Sequence, residues 1–221
     1  MSKVVSIDKR SFDLQAADWI RQAVMSGELA PGARVTELAL TQQIGLSRST
    51  VRTAMQRLAT EGVLVQRAYS GWEVASLTPE DAWELYSLRC ELEGLASKLA
   101  AERLDDAGRE TLRSALNELT LAVNAKDRRH VAEADIGLHR AIVGLAQHRR
   151  LSMMHSQIID PIHLYILATN RDSFDDLIPM HAELVEAILR RDAATAHRLA
   201  SEHVTFSSGQ VVKRLQQMEK A

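Results

Sequence analysis

The chain has 221 residues, 46% apolar and only 4% aromatic, with a formal net charge of −2, which leaves room for one large domain or two small ones around an aliphatic, helix-favouring core. A single cysteine, Cys90, excludes an internal disulfide framework and suits a reducing compartment. The first residues, MSKVVSIDKR, lack the apolar run of a signal peptide and no stretch is long enough to span a membrane, so a soluble cytoplasmic protein is expected.

Residues 10–26 read as an amphipathic helix, with Phe12, Trp19, Ile20, Ala23 and Val24 supplying the apolar stripe. Gly27 ends it, and Pro31-Gly32 makes the next turn. Thr36 is a cap for a short helix through Leu40 to Ile44, and Ser47 caps the following one over 48–61, which Gly62 stops. Val63-Leu64-Val65 and Trp72-Glu73-Val74 read as short strands around a turn at Tyr69-Ser70-Gly71. The outline is a winged helix-turn-helix.

Beyond Ser76 the pattern becomes helical throughout. Thr78-Pro79-Glu80-Asp81 is a helix start, with a capping Thr, Pro at the first helical position and acids at the positive end of the dipole. Helices are predicted at 79–103, 106–125, 127–147, 149–169, 176–190 and 192–217, with Asp105, Asp127 and Asp192 as caps. Short connections between six helices make an antiparallel bundle. The predicted fold is therefore mainly α: a winged helix-turn-helix over 1–77 and an all-helical domain over 78–221.

The segment IGLSRSTVR, residues 44–52, carries the first functional signal. Arg48 and Arg52 are four apart and share a helix face, while Val51, Met55 and Leu58 point elsewhere. An arginine can meet guanine O6 and N7 with two hydrogen bonds, so these two are candidates for base or near-base contacts. Ser47, Ser49 and Thr50 at the helix N-terminus are candidates for phosphate. Arg67 and the turn ending at Gly71 are placed to lay a wing along the neighbouring groove. Two arginines four apart are by themselves more often a solvated helix face; the turn, cap and hairpin around them favour DNA. Charge distribution agrees: residues 1–77 hold nine Lys/Arg against seven Asp/Glu, and the remainder eighteen against twenty-two.

The second signal is Asp135 with His139, four apart on a predicted helix, with His181 and His203 on two later ones. An antiparallel bundle can bring all four to its core, where imidazole plus carboxylate suits zinc, nickel, manganese or iron. Taken alone, an Asp and His so spaced are more often a surface ion pair.

The span from Ile20 to Val74 resembles the DNA-binding domain of GntR-type transcriptional regulators. The resemblance rests on Gly27-Glu28-Leu29-Ala30-Pro31-Gly32, Ser47-Arg48-Ser49-Thr50-Val51-Arg52 and Leu58-Ala59-Thr60-Glu61-Gly62. Thr50 stands where many members have Pro and Thr53 where many have Glu, which leaves the operator sequence unread. The second half resembles the FCD ligand-binding domain of the FadR branch, through Leu88-Arg89 with Leu92-Glu93, the Asp135/His139 pair, His181 ahead of Ala187-Ile188, Asp192, Ala196 and His203. Six helices rather than seven resembles the VanR-like subgroup. His148 and Met180 depart from that pattern without removing a ligand.

The resemblance implies a divalent metal on Asp135, His139, His181 and His203, zinc first among the candidates. It also implies a small carboxylate effector completing the coordination, with Arg89 near its pocket; the alternative for Arg89 is an ordinary surface arginine paired with an acid. Tyr86, Tyr165 and Asn170 are further pocket candidates, while His130, His155, His163 and His197 are assigned surface or satisfied interior roles. The expected protein is a homodimeric repressor that binds double-stranded operator DNA and not a membrane. Competing readings are a metal-dependent enzyme and a DNA-binding protein whose metal only staples the bundle. No zinc-protease motif, paired di-iron Glu-x-x-His, phosphate loop or nucleophile elbow supports the enzyme.

Overall fold

The computed structural model describes residues 11–67, 71–75, 78–168, 174, 176–218 and 220. The chain divides into two compact units, 1–76 and 77–221. Among the described residues no helix is long and apolar enough to cross a membrane.

The first unit contains α1 (Phe12–Met25), β1 (Arg34–Val35), α2 (Glu37–Ile44), α3 (Arg48–Thr60), β2 (Leu64–Arg67) and β3 (Gly71–Val74). Thr36 and Ser47 start α2 and α3 as expected: each side chain accepts a backbone N–H, from Ala39 and Thr50, at 3.2 Å. Gly45, in the left-handed region at φ 73°, ends α2 and turns the chain toward α3. Ile20 of α1, Leu40 of α2, and Val51, Met55 and Leu58 of α3 are buried together with Leu64, Trp72 and Val74 of the sheet. That core fixes α3 by one face and leaves its other face to solvent.

Two details depart from expectation. Phe12 is 66% exposed and lies outside the stripe; the first residue of α1 sits two turns ahead of Ile20, and the buried positions are Ala16, Ala17, Ile20, Ala23, Val24 and Met25. The sheet also has a third strand, in the order β1-β3-β2, all antiparallel. Two residues carry too little alternation to announce β1. Its place comes from pairing with β3, continued by the Gly32 N–H to Val74 O and Val74 N–H to Ala33 O bonds.

The second unit has six helices among the described residues: α4 (Pro79–Arg103), α5 (Asp106–Ala125), α6 (Arg128–Leu145), α7 (Arg149–Ala168), α8 (Leu177–Leu189) and α9 (Ala193–Met218). Thr78, Asp105, Asp127 and Asp192 each accept a backbone N–H three residues on, which stops these long helices from merging. α4 packs along α9 and also meets α6, α7 and α8. Gly94 permits a close approach of α4 and α9, since a Cβ there would lie 2.8 Å from Ser201 Oγ. Tyr165 of α7 donates to Asp81 at 2.6 Å and accepts the Thr78 N–H at 3.2 Å, a tie to the start of α4. Asn170 lies outside the described residues.

Candidate functional site

On α3 the exposed face carries the residues singled out for DNA. Ser47 Oγ, besides capping, lies 2.9 Å from Ser49 Oγ and 2.8 Å from Thr50 Oγ1, which gathers three hydroxyls at the helix N-terminus. The side chains of Arg48 and Arg52 are 65% and 56% exposed. Neither is unattached. Glu37, the first residue of α2, accepts from Arg52 Nε at 2.7 Å and Nη2 at 2.9 Å, and its carboxylate lies 3.8 Å from Arg48 Nη2. The hydrogen bond from Arg52 is the main influence holding the Glu37 carboxyl below its usual range. In the hairpin, Arg67 on β2 donates to Glu73 on β3 at 3.2 Å, and Gly71 opens β3 at φ 93°. Tyr69 and Ser70 of the expected wing turn lie outside the described residues.

In the second unit α6, α8 and α9 bring Asp135, His139, His181 and His203 together. All four are buried, and one ligand atom from each lies within 4.8 Å of the others. His181 Nε2 is 3.0 Å from Asp135 Oδ1 and 3.2 Å from His139 Nε2, while His139 Nε2 is 3.9 Å from Asp135 Oδ1. The outer nitrogens show which inner ones carry lone pairs. His181 Nδ1 is 2.7 Å from the Leu177 carbonyl, and His139 Nδ1 is 2.8 Å from Glu93 Oε2. Each acceptor calls for a proton on Nδ1, so in the neutral rings both Nε2 atoms are bare and converge on each other and on a carboxylate. His203 stacks on His139 and meets His181 edge-on, and both of its ring nitrogens are buried with no hydrogen-bond partner among the described residues.

Such a set of converging lone pairs is unfavourable unless a cation lies among them. The donors, three imidazoles and one carboxylate, fit a divalent transition metal. Electrostatics point the same way. Burial pushes Asp135 up, but its neighbours, His181 first and then His139 and Arg89, outweigh it and hold the carboxyl well below its usual range. Burial lowers His139 and, more strongly, His203, keeping both rings neutral and able to ligate.

α4 supplies a layer behind this cluster. Arg89 is 1% exposed and donates from Nε to Glu93 Oε1 at 2.7 Å; the same oxygen lies 3.0 Å from His155 Nε2. Burial opposes ionisation of Glu93, yet Arg89 and His139 hold it well below the ordinary carboxylate range. Arg89 therefore pairs with an acid, but in the interior rather than on the surface. Its Nη2 is buried without a hydrogen-bond partner among the described residues, and its Cζ lies 5.6 Å from the Tyr86 ring centre. Burial is the first cause that pushes the Tyr86 phenol up to about 12.

Glu37 and Glu93 are the residues that sequence reasoning left without a role. Glu93 is four residues from Arg89 on the same face of α4 as Tyr86 and Ser97, and an acid on a buried face was its available signal. Glu37 reaches a residue fifteen positions away, so spacing alone is silent about it. His130 is exposed and 2.8 Å from Glu118, and His155 is satisfied by Glu93. His163 departs from its interior assignment: it is buried, and its Nε2 has no hydrogen-bond partner among the described residues.

Comparison with known proteins adds lineage to this geometry. Residues 13–74 match the family "Bacterial regulatory proteins, gntR family", and residues 84–206 match the "FCD domain". The "Probable D-xylose utilization operon transcriptional repressor" of Paenarthrobacter nicotinovorans is 29% identical over 191 residues, 86% of this chain and 84% of that protein. The gluconate operon transcriptional repressor of Bacillus licheniformis is 23% identical over 194 residues, 84% of this chain and 79% of that protein. The solved structure of E. coli McbR/YncC is 22% identical with a TM-score of 0.81, covering 93% of this chain and 99% of that one. The two curated relatives are named as transcriptional repressors, and the two family matches span the greater part of both units. The chain belongs to the GntR family of DNA-binding bacterial regulators, in the FadR-like branch that carries an FCD domain.

Proposed function

We propose that this protein is a homodimeric, cytoplasmic repressor whose operator affinity is set by a small carboxylate bound at a divalent metal in the second unit. In this reading Arg48 and Arg52 make base or near-base contacts, Ser47, Ser49 and Thr50 hold phosphates, and Arg67 and Gly71 place the wing. Two recognition helices related by two-fold symmetry would read paired half-sites. Asp135, His139, His181 and His203 ligate the metal, with zinc first and nickel, manganese or iron compatible with the same donors. When bound, that ion supplies Lewis-acid positions at which effector oxygens can displace water. Arg89, buried with its Nη2 unmatched among the described residues, is suited to the effector carboxylate. The effector controls DNA binding only if it prefers one arrangement of the paired winged helices.

The observation that carries the reading is His203, whose two buried nitrogens have no hydrogen-bond partner among the described residues while two further imidazoles and a carboxylate surround it. Relatives named for gluconate operons make D-gluconate a reasonable first probe. The test is a thermal melt of zinc-loaded protein with millimolar gluconate or acetate, repeated after chelation. A carboxylate-dependent rise in Tm that vanishes with chelator is expected. Equal shifts with and without chelator would show that the anion binds independently of the metal and would overturn the proposal.

A further inference from the structure

An acid stands where a DNA-binding surface should least tolerate one. Glu37 lies beside Arg48 and Arg52, and its side chain is only 16% exposed, so its charge is held in place. A fixed carboxylate beside a polyphosphate is repulsive, and general DNA affinity would rise without it. Its geometry explains its presence. Both oxygens are engaged by Arg52, one by Nε at 2.7 Å and the other by Nη2 at 2.9 Å, a two-pronged clamp on one edge of the guanidinium. The guanidinium is planar with five N–H donors, so a clamp on the Nε/Nη2 edge leaves the Nη1/Nη2 end edge available. That end edge has the spacing to meet guanine N7 and O6 together. Ordering a long, flexible side chain is then completed on folding rather than on binding.

We propose that Glu37 is a positioning residue for DNA reading: it clamps Arg52 on one edge, offers the other to a guanine, and raises sequence selectivity while lowering general DNA affinity. The inference rests on the reading of Arg52 as a base-contacting residue, and its signature is a pair of opposite effects that a purely structural role for Glu37 would not produce.

The experiment uses the full-length protein, with duplexes selected from a randomised pool and a scrambled duplex of equal length as comparison. Glu37→Gln should bind the scrambled duplex as tightly as wild type or more tightly, and the selected duplex about ten- to a hundredfold more weakly. The preference should fade at the same guanine positions that Arg52→Ala erases. Glu37→Asp, which keeps the charge but is one methylene short of the clamp, should lose selectivity in the same way, with melting curves confirming that each variant is folded. Unchanged selectivity in Glu37→Gln, or equal weakening on both duplexes, would overturn the role of Glu37. Unchanged selectivity in Arg52→Ala would instead overturn the base-contact reading of Arg52, so the two failures are distinguishable.

Discussion

The two polar constellations of this protein stand on opposite physical terms. Arg48 and Arg52 on α3 are more than half exposed, so water already solvates them and their charge requires no occupant. Asp135, His139, His181 and His203 are buried, and water has been removed from groups whose lone pairs face one another. An unmatched buried polar group costs about 1–3 kcal/mol, more if charged, so the second constellation calls for an occupant in a way the first does not. The exposed set gains meaning from arrangement: a capped helix N-terminus, a clamped arginine and a hairpin nearby. The buried set gains it from what is missing around His203. Each unit of a regulator can thus be read by a different argument, surface geometry for the exposed set and unmet valence for the buried one.

The contrast is sharpest under chelation. Removing metal from the second unit should lower its stability by about 3–4 kcal/mol where free metal had exceeded its Kd by a hundred- to a thousandfold, seen as a fall in Tm. The same treatment should leave the melting of the first unit unchanged; a drop there would break the distinction. Chelated protein should also become acid-sensitive. His203 and His139 have folded pKa values below the ordinary 6.5, so on acidification the unfolded chain takes up protons first. Stability is then full above about 6.5 and is lost progressively as pH falls below it. A flat Tm between pH 8 and pH 5 would contradict neutral burial of these rings.

Glu93→Gln tests the layer behind the cluster. It removes the carboxylate that holds the proton on His139 Nδ1, and metal affinity should fall about ten- to a hundredfold. Competition with a zinc chelator measures it, on variant shown folded by circular dichroism because Arg89 also loses its partner. Unchanged zinc affinity would mean that Glu93 serves only the ion pair with Arg89. On the exposed side, Arg52→Ala should cost about 1–3 kcal/mol of preference for the selected duplex over a scrambled one, with Tm changed by little. The smallest effect belongs to Ser47→Ala, which removes the cap of α3 and should destabilise the first unit by about 1 kcal/mol. Unfolding of that unit in urea would detect it.

Sequence reasoning reached the elements whose ends are written locally. Thr36, Ser47, Thr78, Asp105, Asp127 and Asp192 each announce a helix by a side chain that bonds three residues on, and α2 to α9 begin or end within about two residues of expectation. It also placed Asp135, His139, His181 and His203 on helices able to converge, and the structure brings them together. What escaped depends on partners distant in sequence. β1 exists because β3 pairs with it, and Phe12 is exposed because the first turn of α1 extends past the core. Glu37 and Glu93 look like ordinary solvated acids until Arg52 and His139 are placed beside them. Local chemistry wrote the frame, and tertiary contact chose which acids act on it.

The most direct test of the account is the metal content of purified protein exposed to zinc, measured by mass spectrometry beside His139→Ala prepared in the same way. About one zinc per wild-type protomer is expected, with loss of nearly all of it in the variant and both proteins folded. Equal metal content in the two, or none in either, would contradict a metal centre at Asp135, His139, His181 and His203.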